Sequence, residues 1–289
     1  MSMKNILELQ QVSKTFLKSN FTLEDVTFSL PYGSILGFVG ENGAGKTTTI
    51  GCILNTIKKD SGTIKLFGQE MLDADTSLRE KIGVVYDGDN FPAYWTAKQL
   101  SDVMEGLYTQ WDNSLFQKYL EDFHLPMKQK MKHYSKGMTM KLAIAAALAH
   151  HPELLILDEA TSGLDPVIRD DILDMLLDFV QDEEHSILVS SHITSDLEKI
   201  ADYIVFIHKG KVVFSKSKDE LIEHYGVIKC GAAQFDALDK SDIITYRKMD
   251  YEWQILVSER DKMQKKYPKA LIVPATIDEI MLLYVKGER

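Results

Sequence analysis

The sequence predicts an α/β protein: a parallel-sheet core with an antiparallel β subdomain, an inserted α-helical subdomain and a small C-terminal α+β domain. Three observations carry this. Ser34-Ile35-Leu36-Gly37-Phe38-Val39 is nearly all apolar and runs through a glycine-rich turn into Thr47-Thr48-Thr49-Ile50, as a buried parallel strand feeding a helix does. Two further buried strands, at 154–157 and 187–190, are separated by a helix with Ile168, Ile172, Met175, Leu176 and Phe179 on one face. Strand, helix, strand is the signature of a parallel sheet. Between about residues 96 and 150 the apolar period changes from two to 3.6, which places helices inside this framework.

Taken in order, residues about 5–35 and 62–86 alternate apolar and polar positions (Ile6, Leu9, Val12; Ile64, Leu66), with turn signals at Asp60-Ser61-Gly62 and Phe67-Gly68. Both stretches read as antiparallel strands. Thr96 and Gln99 form a capping box ahead of Leu100, Val103, Met104, Leu107, Tyr108 and Trp111, an amphipathic helix. Ser114 and Gln117 repeat the box ahead of Phe116, Tyr119, Leu120 and Phe123, so the helical subdomain spans about 90–150. After about 217, short alternating runs (Ile243-Ile244-Thr245-Tyr246; Trp253-Gln254-Ile255-Leu256-Val257; Leu271-Ile272-Val273) precede a capped helix from Thr276. The expected domains are therefore 1–216 and 217–289.

Composition narrows the function. With 289 residues, 45% hydrophobic and 26% charged, the chain can bury a core and is neither disordered nor fibrous. Its 33 basic against 43 acidic residues give a net charge of −10, which opposes a phosphate backbone, so nucleic acid is not the expected partner. Cys52 and Cys230 lie far apart without CxxC spacing, which points to a reducing compartment and assigns Cys52 to helix packing. No run approaches the ~20 apolar residues of a membrane span. The longest small apolar run, 142–149, ends at His150 and His151, and the first residues have no signal-peptide core. A cytoplasmic location is expected, and any membrane role requires another polypeptide.

Gly40-Glu41-Asn42-Gly43-Ala44-Gly45-Lys46-Thr47 fits GxxxxGK[ST] with a buried strand before it and a helix after it. Glycines let the loop wrap its N–H groups around phosphates, and the helix offers its positive N-terminal end. Lys46 reaches the β/γ phosphates and the Thr47 hydroxyl ligates Mg²⁺, with Thr48 completing the loop. This is the phosphate loop of a P-loop NTPase (RecA-like) core, and it requires an acidic partner. Leu154-Leu155-Ile156-Leu157-Asp158 supplies one at the end of a buried strand, where Asp158 holds magnesium. Glu159 follows, placed to polarise the attacking water.

Tyr134-Ser135-Lys136-Gly137-Met138 opens the next helix, where Ser135 also reads as an N-cap. With this stretch the sequence resembles an ATP-binding cassette (ABC) ATPase, whose signature loop LSGGQ is matched as YSKGM. The resemblance covers about residues 5–216. It implies that Ser135 and Gly137 of one subunit close over the γ-phosphate held by another. Ser162-Gly163-Leu164-Asp165 resembles the D-loop, with Asp165 also suited to cap a helix that starts at Pro166. His192 resembles the switch histidine that contacts the γ-phosphate, and Phe16 matches the aromatic that stacks on adenine, although taken alone Phe16 reads as core. Two departures from the family matter: Tyr86-Asp87 stands where a glutamine is usual, leaving Asp87 as a candidate for magnesium or water, and Lys136 replaces the first signature glycine.

The resemblance also implies a dimer, either a homodimer or a pair with a sister ABC ATPase. It implies a separate transmembrane permease subunit and a location on the inner face of the membrane. Asp89-Asn90-Phe91-Pro92-Ala93-Tyr94-Trp95 matches the region that cradles a coupling helix of that permease; burial of the same rings in the helical subdomain is the equal alternative. The segment from Ala275 to Leu283 resembles single-cassette ATPases of ABC-2-type exporters for drugs, antimicrobial peptides or phenol-soluble modulins. Export of an amphipathic peptide or drug is the expected activity. Membrane signalling with the same cassette is the alternative. A nucleic-acid ABC ATPase lacks support, and no NKxD or DxxG string supports a GTPase.

Overall fold

The structure, a computed structural model, describes residues 4–17, 21–71, 76–88 and 90–288. The chain divides into two compact units, Met1–Ser215 and Lys216–Arg289.

In the first unit, β1 (Asn5–Thr15) and β2 (Thr22–Pro31) form an antiparallel pair, with Leu9 opposite Phe28. Ile6, Leu7, Leu9 and Val12 are buried, but strict alternation is broken by register shifts at Asn5/Leu7 and Leu9/Val12, and the sheet continues through β4 (Ser61–Leu66) and β5 (Gln69–Glu70) in the order β2-β1-β4-β5. Between them runs β3 (Ile35–Val39), buried along its whole length, followed by α1 (Lys46–Ile53), where Cys52 is buried. The core sheet adds β6 (Ile82–Tyr86), β7 (Leu154–Asp158), β8 (Ser186–Ser191), β9 (Tyr203–His208) and β10 (Lys211–Ser217) in the order β10-β9-β3-β8-β7-β6. β3 pairs in parallel with β8 and β9, and β7 with β6 and β8. Parallel pairing needs a crossover, supplied here by helices such as α6 (Pro166–Phe179) and α7 (Thr194–Ile200). The expectation that 62–86 is antiparallel throughout is corrected: after α2 (Thr76–Glu80), β6 joins the parallel sheet, Ile82 opposite Leu154 and Tyr86 opposite Asp158. Its Ile-Gly-Val-Val run is continuous rather than alternating, as a strand covered on both faces requires.

The helical subdomain comprises α3 (Ala97–Leu107), α4 (Asn113–Asp122) and α5 (Lys136–Leu148) around Leu100, Phe116, Leu120, Leu142 and Ala145. The capping box of Thr96 and Gln99 is present. Two expectations fail here. Val103 and Leu107 are exposed, so the buried face of α3 is narrower than its apolar periodicity. α4 is capped by Asp112, which accepts the N–H groups of Ser114 and Leu115, so Ser114 lies within the first turn. A carboxylate at the cap is the stronger acceptor and also suits the positive helix end.

The second unit holds α8 (Lys218–His224), β11 (Gly226–Cys230), α9 (Ala232–Asp236), β12 (Thr245–Lys248), β13 (Trp253–Val257), α10 (Arg260–Lys266), β14 (Leu271–Pro274) and α11 (Ile277–Lys286). Its sheet runs β12-β13-β11-β14 with every pair antiparallel. From β11 to β14 the chain follows the β-α-β-β-α-β pattern of ferredoxin-like folds. β11 was not anticipated, and Ile243-Ile244 precede rather than begin β12. Ile228, Cys230, Ile255 and Val257 face Met263 of α10, with Phe235 stacked on Trp253 at 4.0 Å. Thr276 and Glu279 form the capping box of α11. Among the described residues no helix is long and apolar enough to cross a membrane.

Candidate functional site

The carboxyl ends of β3, β7 and β8 meet at one edge of the core sheet, where open α/β sheets bind ligands. The loop leaving β3 must turn tightly beneath β9. A Cβ on Gly40 would lie 2.5 Å from the Ile207 carbonyl oxygen, and Gly45 has φ +116°, so both positions need glycine. Lys46 and Thr47 then open α1, at its positive end.

Lys46 is buried, and its Nζ donates to the Gly40 carbonyl at 2.6 Å and the Glu41 carbonyl at 3.3 Å. The same ammonium lies 3.0 Å from Glu159 Oε1, while His192 Nδ1 lies 2.6 Å from Oε2 of that carboxylate. Glu159 therefore joins Lys46 and His192, and its own backbone has φ +55°, an unfavourable conformation for a non-glycine residue. Thr47 donates its hydroxyl to Asp158 Oδ2 at 2.8 Å. Burial, together with the nearby charge of Asp158, pushes the Tyr86 hydroxyl above its usual pKa.

A cavity of about 350 Å³ opens over this cluster, lined by Phe21, Asn42, Gly43, Gly45, Lys46, Thr47, Thr48 and Glu159. Glu41 and Asn42 are exposed, and Ala44 is buried. Phe21, rather than Phe16, lines this cavity. Phe16 is half-buried, its ring centroid 6.4 Å from that of Phe21, with Lys14 Nζ 5.8 Å from its own ring.

Sequence reasoning missed three contributors. Ser190 donates to Asp158 Oδ1 and accepts the Glu159 N–H; a hydroxyl pair, Ser190-Ser191, ending an apolar strand was its only signal. Gly210, in the Lys209-Gly210 turn, donates its N–H to the Ala44 carbonyl at 2.9 Å and braces the phosphate loop from behind. Phe21 carried no signal of its own.

The remaining predicted residues lie outside that cavity. Ser135 caps α5, its hydroxyl accepting the Met138 N–H at 3.2 Å. A Cβ on Gly137 would lie 2.5 Å from Ile168 Cδ1 of α6. Asp165 caps α6 through the N–H groups of Val167 and Ile168, with Pro166 in the first turn. Asp87 pairs with Lys136 at 3.1 Å. In the aromatic loop, Phe91 and Trp95 pack on the helical core while Tyr94 is exposed beside Lys132; Asp89 lies outside the described residues.

The sequence profile of the ABC transporter family matches residues 23–162. The chain is 30% identical to the ABC transporter ATP-binding protein YtrB of Bacillus subtilis (strain 168), over 98% of this chain and 99% of that protein. The chain belongs to the ATP-binding proteins of ABC transporters. This ABC ATPase is also 33% identical to the bacitracin transport ATP-binding protein BcrA of Bacillus licheniformis, over 73% of this chain and 69% of the relative. Its fold matches the solved structure of an ATP-binding subunit of an ABC transporter with TM-score 0.66 and 27% identity, over 75% of this chain and 91% of that one. Members of the family bind ATP, are ATPases coupled to transport, and work with separate transmembrane components. The similarity to YtrB takes in the second unit as well as the cassette; that to BcrA covers a smaller share of the chain.

Proposed function

We propose that this chain hydrolyses ATP as a homodimer on the inner face of the membrane and powers export of an amphipathic peptide or drug through a separate permease. The observation that carries the hydrolytic reading is Glu159 held between Lys46 and His192, above the pair of Thr47 and Asp158. In this reading the loop from Gly40 to Thr48 wraps the phosphates. Lys46 exchanges Glu159 for the β/γ phosphates, which frees the carboxylate to take a proton from the attacking water. His192 holds that carboxylate and meets the γ-phosphate. Thr47 and Asp158 present oxygen donors of the kind magnesium selects, and the ion when bound neutralises charge on the phosphates. Phe21 or Phe16 supplies the face for adenine.

One cassette carries both a phosphate loop and, elsewhere, the exposed Ser135 and Asp165, with Gly137 buried in the first turn behind Ser135, an arrangement in which two copies could complete each other's sites. The export reading and its cargo class draw on the bacitracin and lantibiotic transport relatives. Glu159→Gln tests the assignment. Turnover falls at least about 100-fold, because the general base is lost. ATP binds more tightly, because Lys46 no longer has a carboxylate to leave, and an ATP-bound dimer accumulates on gel filtration. Substantial turnover by the purified variant would remove Glu159 from the mechanism.

A further inference from the structure

We propose that Lys136 and Asp87 act as one charge pair that sets the signature loop, making both positioning residues for hydrolysis at the site of a second copy. The proposal rests on the dimer reading above.

Lys136 is the first residue of α5, directly after the capping Ser135. A cation there faces the positive end of the helix, an arrangement that costs about 0.3–1 kcal/mol. A carboxylate compensates it: Asp87 Oδ1 lies 3.1 Å from Lys136 Nζ. Asp87 directly follows Tyr86, whose backbone is in register with Asp158, so one end of the pair is anchored beside the magnesium-holding strand. The same ammonium crosses the loop that carries Asp165, since a Cβ on Gly163 would stand 3.2 Å from Lys136 Nζ. One side chain therefore touches the loop after β6, the signature turn and the loop before α6. Lys136 stands where the resembled signature loop has its first glycine, and Asp87 where a glutamine is usual; here each is the other's partner.

Both side chains are nearly half exposed, at 47% and 45%. An ion pair of that exposure contributes at most about 1 kcal/mol to stability, so holding the fold together is not its use. A weak pair can be broken and remade within a turnover cycle. It also lies on the wall of a cavity of about 500 Å³, shared with Phe91, Tyr134 and Met140, so displacement of that wall reaches the signature turn directly.

The test is steady-state ATPase kinetics of the purified full chain with Asp87→Gln, Lys136→Met, the double variant and Lys136→Arg. Each neutralising single variant lowers kcat about 5–10-fold and leaves KM for ATP within about twofold, since the phosphate loop is untouched. The double variant is no slower than either single one, as expected of groups acting as a unit, and Lys136→Arg retains wild-type kcat. Single variants with wild-type kcat, or a double variant as slow as the product of both effects, overturn the pair. Absence of turnover in the wild-type chain overturns the underlying reading, and the pair with it.

Discussion

Ser190 gives its hydroxyl proton to Asp158 Oδ1 at 2.5 Å and receives the backbone N–H of Glu159 at 3.1 Å. One buried hydroxyl thus holds the carboxylate assigned to magnesium and shares, with the Ser190 carbonyl at 3.1 Å, the backbone N–H of the residue assigned as general base. Glu159 needs such a fixture, because its left-handed backbone does not hold itself.

Ser190→Ala removes both hydroxyl bonds and leaves a buried carboxylate oxygen short of a donor, while the Glu159 N–H keeps the Ser190 carbonyl. The expected cost is about 1–3 kcal/mol of stability. A kcat loss beyond about tenfold is expected at a temperature where the variant remains folded. Calorimetry and ATPase assays on the same preparation check both, and an unchanged kcat would show that Asp158 and Glu159 are positioned without it.

Gly137 separates a packing role from a phosphate role. Alanine there presses on Ile168 Cδ1, so Gly137→Ala destabilises by about 1–3 kcal/mol through overpacking. Ile168→Val deletes the offending methyl group. The combined variant regains thermal stability but not ATPase activity if Gly137 lies against phosphate in a second copy. Recovery of both would make the glycine a packing residue.

His150 sets a pH dependence. Its ring is buried, stacked on Tyr108 at 4.1 Å, and its Nε2 lies 3.2 Å from the Ile82 carbonyl oxygen. Burial holds its pKa below the usual 6.5, with the neighbouring His151 adding to the effect. Below pH 6.5 the unfolded chain therefore takes up a proton that the folded chain refuses. Stability falls as pH drops from about 7 through the depressed folded value. His150→Gln flattens that part of the profile even though its stability at pH 7.5 is lower. Thermal unfolding midpoints between pH 7.5 and 5.5 report the slope.

The phosphate loop was legible in the sequence because its chemistry dictates glycine, lysine and threonine at fixed spacing, and Asp158 because a carboxylate ending an apolar strand needs a cause. Thr96, Asp165 and Thr276 announced their helices by local hydrogen bonds that depend on a few consecutive residues. Ser190, Phe21 and Gly210 were not legible. Each acts through a partner far along the chain, and nothing within a short window distinguishes a structural serine, phenylalanine or glycine from these. β6 was misread because its continuous Ile-Gly-Val-Val run, the mark of a strand covered on both faces, is only four residues long and follows the alternating strands directly. Asp112 was overlooked in favour of Ser114 because both are good caps and only the entry path of the chain selects between them.

The order of strands in the core sheet bears on how the protein is made. β3 leaves the ribosome early, yet both of its partners, β8 and β9, are encoded some 150 residues later. Throughout that interval Ile35, Leu36, Phe38 and Val39 have no sheet to join, and unpaired apolar strand edges invite aggregation. Long-range parallel pairing of this kind is slow to form. The strand that launches the phosphate loop is thus the segment in greatest need of shelter during synthesis, and β1 and β2, which pair with each other over a short separation, are the first structure able to give it.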